Sequence, residues 1–177
     1  MKLDLQKDER KFRRFVEKRL RDYPVYENLG PGNDADPIAL MTVGYSFEQS
    51  GYAALVLDTR PDADHDGQWT LHIENETNVL PFPKWCAAFE TLCDGGTVDV
   101  VLPDGRPRTL DDSDDNESVA ALFGETLRDA MQALNREGKF AGLPRTPGAF
   151  FIVEEFNGQY GWPDYDDRKS LGRLKGR

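Results

Sequence analysis

The chain has 177 residues, enough for one domain with a sizeable core, and its 11% aromatic content is more than a disordered segment carries. Its 32 acidic and 22 basic side chains leave a formal net charge of -10, which excludes the basic profile of a typical nucleic-acid-binding domain. No apolar run approaches the roughly 20 residues that a membrane-spanning helix needs, so no membrane partner is expected.

The spacing predicts a first helix over 4–22. Phe12, Phe15, Val16 and Leu20 fall on one apolar stripe, and Arg10, Arg14, Lys18 and Arg21 lie on the other faces. Pro24 stops it, and residues 28–37, rich in Gly, Pro, Asn and Asp, form a loop. Three strands are expected next. Ile38 to Phe47 is rich in β-formers, with Gly44 marking a bulge. Tyr52 to Asp58 is a short apolar run typical of a buried strand, and Trp69 to Glu74 alternates strictly between apolar and polar. An antiparallel meander is their simplest pairing.

Pro83 opens a short helix whose apolar face is Trp85, Phe89 and Leu92, and Asp94, Gly95 and Gly96 end it. Residues 97–103 read as a fourth strand, Asp104 and Gly105 as a hairpin turn, and Arg108 to Leu110 as a returning fifth strand. The longest helix is expected over 115–137. Asp114 is its predicted N-cap, Glu117 completes a capping-box-like pair, and Gly138 is the C-terminal stop. Ala149 to Glu155 reads as the last strand. The pattern predicts one α+β domain over 1–167, with a mixed or antiparallel sheet of about five or six strands and three helices packed on it. Residues 168–177 form a basic C-terminal tail.

Charge is segregated along the chain. Residues 1–22 carry nine basic and five acidic side chains, residues 168–177 carry five basic and none acidic, and the 145 residues between carry eight basic and 27 acidic. The body therefore has a net charge of -19 and both ends are basic. Such a body steers cationic partners toward itself and repels a nucleic-acid backbone, although acidity also serves plain solubility. The basic residues of the first helix are interrupted by Asp8, Glu9 and Glu17. That mixture predicts i,i+4 pairs on an exposed face or docking against the acidic body.

The N-terminal stretch lacks the apolar region of a secretory signal and is too acidic for a transit peptide. Cys86 and Cys93 are seven residues apart on one helix, so their Cα atoms lie about 10 Å apart, beyond disulfide reach. Among Trp85, Ala87, Ala88 and Phe89 both thiols are expected to be buried and inert. Free thiols suit a cytoplasmic location.

Catalytic patterns are scarce. His65 and His72 form no metal-spaced pair, no P-loop or dinucleotide fingerprint occurs, and the run from Gly44 to Glu48 breaks a nucleophile-elbow pattern at its last position. Glu154 and Glu155 are adjacent on a strand and point to opposite faces. No catalytic residue, metal ligand or cofactor is assigned. Asp62, Asp64, Asp66 and Gly67 match the first half of a calcium loop, but its twelfth position is Ile73 where a bidentate Glu is needed. A polar hairpin loop accounts for the same residues.

The densest acidic cluster is Asp111, Asp112, Asp114, Asp115 and Glu117. Two or three carboxylates at a helix start answer the backbone dipole, whereas five repel one another, and a cationic partner relieves that repulsion. Tyr160 and Trp162 lie among aspartates on a loop after the last strand, where aromatic side chains serve as interface anchors or cap the core. These residues make a basic protein the expected partner and non-enzymatic protein binding the expected role. A small enzyme or ligand-binding domain, its site assembled from distant residues, is the alternative.

The early helix, the strand from Tyr52 to Asp58, a strand running into Asn75, Glu76, Thr77 and Asn78, and the Trp-containing helix from Lys84 to Leu92 follow in order. In this succession the chain resembles a broad group of small bacterial α+β proteins of toxin-immunity type. That resemblance implies a cytosolic antidote that blocks a toxin's active surface, and an acidic body suits a cationic nuclease as the toxin.

Overall fold

The structure is a computed structural model that describes residues 1–21, 38–47, 51–58, 79–111, 113–114, 116–143 and 145–155. The chain opens with a three-residue strand, β1 (Lys2–Asp4), and passes directly into α1 (Leu5–Arg21). Asp4 ends the strand and caps the helix, its Oδ1 accepting the Lys7 N–H at 2.8 Å. Of the predicted stripe Phe12, Val16 and Leu20 are buried and Phe15 partly so, and Leu5 joins them, so α1 turns that side inward.

β2 (Ile38–Ser46) and β3 (Tyr52–Asp58) pair antiparallel, with Tyr45 opposite Ala53 and Val43 opposite Leu55. β4 (Val79–Pro81) adds antiparallel to β3, and β7 (Arg145–Glu155) adds parallel to β2. The resulting four-stranded sheet has the order β4-β3-β2-β7. With a neighbour on each edge, β2 is buried along its whole length. Its register runs unbroken through Gly44 in both pairings, so no bulge lies there. The irregularity falls instead at Ile38/Leu40 opposite β7, whose facing segment contains Pro147, a residue without an N–H to pair.

α2 (Pro83–Cys93) begins with proline at its start and ends in a Schellman turn. Gly95 takes φ 74°, its N–H reaches Leu92 O, and the Gly96 N–H reaches Thr91 O. Trp85, Ala88 and Leu92 are buried, while Phe89 is only partly so. β5 (Val98–Val101) and β6 (Pro107–Leu110) form the expected hairpin around Asp104 and Gly105. β1 joins β5 in parallel, which makes a second, three-stranded sheet of order β1-β5-β6. α3 (Asn116–Arg136) then crosses the molecule, packs on α1 and on β7, and closes with a second Schellman turn at Gly138.

The α+β class is therefore as expected, but the sheet is not single. Seven strands among the described residues divide into two mixed sheets of three and four. β1 and β4 are too short to carry a periodic signal, and both exist because a neighbouring edge supplies their hydrogen bonds. The strand expected at Trp69 to Glu74 lies outside the described residues, as does the tail over 168–177.

The core joins the layers through aromatic side chains. The Trp85 indole lies nearly parallel to the rings of Phe82 and Phe123, with centroids 4.3 and 4.4 Å away. Tyr45 reaches from β2 to donate its hydroxyl to Ala120 O at 3.2 Å. A Cβ on Gly124, one turn along α3, would lie 2.6 Å from that hydroxyl oxygen, so α3 approaches β2 closely only because the residue is glycine. The thiols depart from expectation: both are free, but Cys93 is exposed and Cys86 half-buried, because they flank the buried stripe rather than join it.

Candidate functional site

Polar chemistry gathers at two places on the described surface. The first is the turn between β6 and α3. Oδ1 of Asp111 accepts both the Ser113 hydroxyl, at 2.5 Å, and the Ser113 N–H, at 2.9 Å. These two donors hold the Asp111 carboxyl below the usual carboxylate range. Asp114 does not cap the helix, which starts at Asn116. Its carboxylate instead accepts the Asp111 N–H at 3.1 Å and pairs with the Arg108 guanidinium on β6, which leaves its side chain 14% exposed.

Of the cluster that the sequence singles out, Asp111 and Asp114 are thus brought together in one turn, and Asp114 already has a cation. Asp112, Asp115 and the side chain of Glu117 lie outside the described residues. So do the aromatic anchors Tyr160 and Trp162, the loop of Asp62, Asp64 and Asp66, and both histidines.

The second place is a pocket of about 300 Å³ where the first turns of α1 and α2 meet, lined by Asp4, Lys7, Asp8, Lys11 and Lys84 with Phe82 and Trp85 at its base. Trp85 is fully buried, and its Nε1–H donates to Oδ2 of Asp8 at 2.9 Å. Burial pushes the Asp8 carboxyl up from its ordinary value, against the opposing pull of the indole donor and of Lys11. Lys11 lies 4.6 Å from the Phe82 ring centroid and donates its Nζ to Pro81 O at 2.5 Å. The first turn of α2 has no side-chain cap, and Pro83 removes one of its N–H groups.

The arrangement offers three ammonium groups, of Lys7, Lys11 and Lys84, around two half-buried carboxylates, Asp4 and Asp8. It can hold a small anion, and it sets no nucleophile beside a base. Among the described residues no group of three or more His, Cys, Asp or Glu side chains could hold a metal ion, and no helix is long and apolar enough to cross a membrane.

Sequence spacing does not reveal this pocket, because Asp8 and Trp85 are 77 positions apart. The only signal is Trp85 itself: an indole in a core stripe carries an N–H that needs an acceptor, without saying which. The comparisons with known proteins add no relative: no family model, curated protein or solved structure matches the chain.

Proposed function

We propose that this domain is a non-enzymatic binding module that docks a basic protein partner on its acidic body. In its concrete form it is an immunity protein that neutralises a cationic toxin. The observation that carries this reading is the net charge of -19 over residues 23–167. Contacts among the described residues are in keeping with it, because four of the first helix's cations are left outside ion pairs there. Of its cations, Arg13 reaches Glu137 on the body, whereas Lys7, Arg10, Arg14 and Lys18 form no ion pair among the described residues. Asp111, ionised below the usual range, keeps a fixed negative charge at the β6–α3 turn at any physiological pH. Asp112, Asp115, Tyr160 and Trp162 complete the proposed surface.

The test is capture of a co-encoded basic protein at rising salt, with the protein carrying Asp111→Asn, Asp112→Asn, Asp114→Asn and Asp115→Asn as comparison. Capture that weakens with salt and in the variant supports the reading. Capture indifferent to both refutes it.

The pocket between α1 and α2 favours a second reading, a domain that binds a small anionic ligand. Titration with citrate or inorganic phosphate, followed by tryptophan fluorescence, tests it. A saturable response removed by Lys84→Gln supports ligand binding, and a flat response rejects both probes.

A further inference from the structure

The exposed residues of α1 carry an arrangement that the mixed composition of the helix conceals. Each of its acidic side chains between Asp8 and Glu17 is diverted to a partner of its own. Asp8 turns inward to the Trp85 indole, Glu9 pairs with Arg13 one turn on, and Glu17 pairs with Lys139 beyond α3 at 2.7 Å. Lys7, Arg10, Arg14 and Lys18 remain, all exposed and none in an ion pair among the described residues. At 3.6 residues per turn these four fall within about 80° of the helix circumference and span about 17 Å of its length. The buried residues Leu5, Phe12, Val16 and Leu20 occupy the opposite side. The outward face of α1 is therefore an uninterrupted basic stripe on a chain whose body, residues 23–167, is acidic.

We propose that this stripe is a docking surface for a short acidic α-helical segment of a protein partner. The cations recur at spacings of three and four residues, so each turn of α1 offers one ammonium or guanidinium group at a rise of about 5.4 Å. A helix with Glu or Asp at the same spacing meets them turn by turn. Length decides against larger polyanions. A nucleic-acid duplex or an anionic bilayer extends beyond 17 Å and meets the repulsive acidic body, whereas a helix of about a dozen residues covers the stripe alone. A bilayer also needs apolar anchors, and the apolar side of α1 is consumed by the core.

The test uses the whole chain and a fluorescein-labelled helical peptide of about 15 residues with Glu at every third or fourth position, read by anisotropy at low and high salt. A peptide of the same composition with its Glu residues bunched at one end is the spacing control. Four exposed ion pairs of a few tenths of a kcal/mol each multiply to roughly tenfold in affinity. The variant Lys7→Gln/Arg10→Gln/Arg14→Gln/Lys18→Gln, checked for an unchanged melting temperature, is expected to lose about that factor. A variant at exposed cations elsewhere, Arg106→Gln/Arg136→Gln, is expected to lose none, and the spaced peptide is expected to outbind the bunched one. Equal binding of the two peptides, undiminished binding by the fourfold variant, or displacement of the peptide by a short DNA duplex or phosphatidylserine vesicles overturns the proposal.

Discussion

Replacing Asp8 asks what holds the Trp85 indole in place. The indole is fully buried, and its N–H has the Asp8 carboxylate as its acceptor at 2.9 Å. Asp8→Ala leaves a buried donor without a partner, which costs about 1–3 kcal/mol. For a chain of this length, each kcal/mol lowers Tm by about 2–4 °C. Asp8→Asn keeps a carbonyl oxygen at the same place and removes the cost of burying a charge, so it is expected to lie within about 1 kcal/mol of the parent at neutral pH.

The pH dependence follows from the raised Asp8 value. The folded protein holds that proton more readily than the unfolded chain. The stabilisation from protonated Asp8 is therefore complete below the unfolded value of 3.8 and is lost as pH rises through the folded value. Relative to the parent, Asp8→Asn should look best at neutral pH and lose that advantage on acidification. Urea or thermal unfolding of the three proteins measures these differences, and amide-type exchange of the Trp85 indole proton gives an independent readout. Equal stability of Asp8→Ala and Asp8→Asn, with unchanged indole exchange, refutes the role assigned to the hydrogen bond.

Three further outcomes can be checked on the same material. Gly124→Ala should lower stability by about 1–3 kcal/mol despite alanine's better helix propensity, because the new methyl meets the immobile Tyr45 ring, and Tyr45→Phe should recover part of the loss in thermal melts. Gly51→Ala should cost more than Gly124→Ala: its φ of 66° is strained for alanine, and the added Cβ would lie 2.3 Å from Phe82 O, at a junction where the Phe82 N–H is bonded to Gly51 O. Cys93 should react fast with a thiol reagent and Cys86 more slowly, with no change in Tm on modifying Cys93; two slow cysteines would restore the buried reading of both.

What could be read from residues alone follows the length of the signal. α1 and α3 each repeat an apolar stripe over several turns, and burial of Phe12, Val16, Phe123 and Leu127 follows it. The Tyr52 to Asp58 run forms β3 with its predicted limits. The elements that escaped are those whose reason lies elsewhere in the chain. Lys2–Asp4 is a strand because Val98–Val101 offers it an edge, and Val79–Pro81 is one because β3 does. Division into two sheets is likewise a matter of pairing, which composition does not encode. Cys93 departs from its expected burial because the apolar run from Trp85 to Phe89 lies earlier on the same helix, while Cys93 itself is exposed at the helix end, beside Asp94. At the acidic turn the surplus of carboxylates was visible, but not that Asp114 would reach back to Arg108 rather than forward to the helix.

The orientation of α1 decides which of its charges a partner meets, and magnitudes show what sets that orientation. Attraction between a basic helix and an acidic body argues for the cations to lie inward. Exposed ion pairs contribute only about 0–1 kcal/mol each, whereas burying a Phe, Val or Leu side chain contributes about 1.5–3 kcal/mol. Leu5, Phe12, Val16 and Leu20 are all buried on one side, so burial outweighs charge and turns the opposite side to solvent. Electrostatics then sorts only the margins, where Arg13 finds Glu137 and Glu17 finds Lys139. Net charge counted along the chain therefore misrepresents this helix: the first 22 residues sum to +4, yet the five exposed residues of α1, Lys7, Arg10, Arg14, Lys18 and Arg21, are all cations. Moving one apolar residue of the stripe to a polar one, as in Val16→Lys, would disrupt that basic face by loosening the helix, without changing the sign of any of its charges.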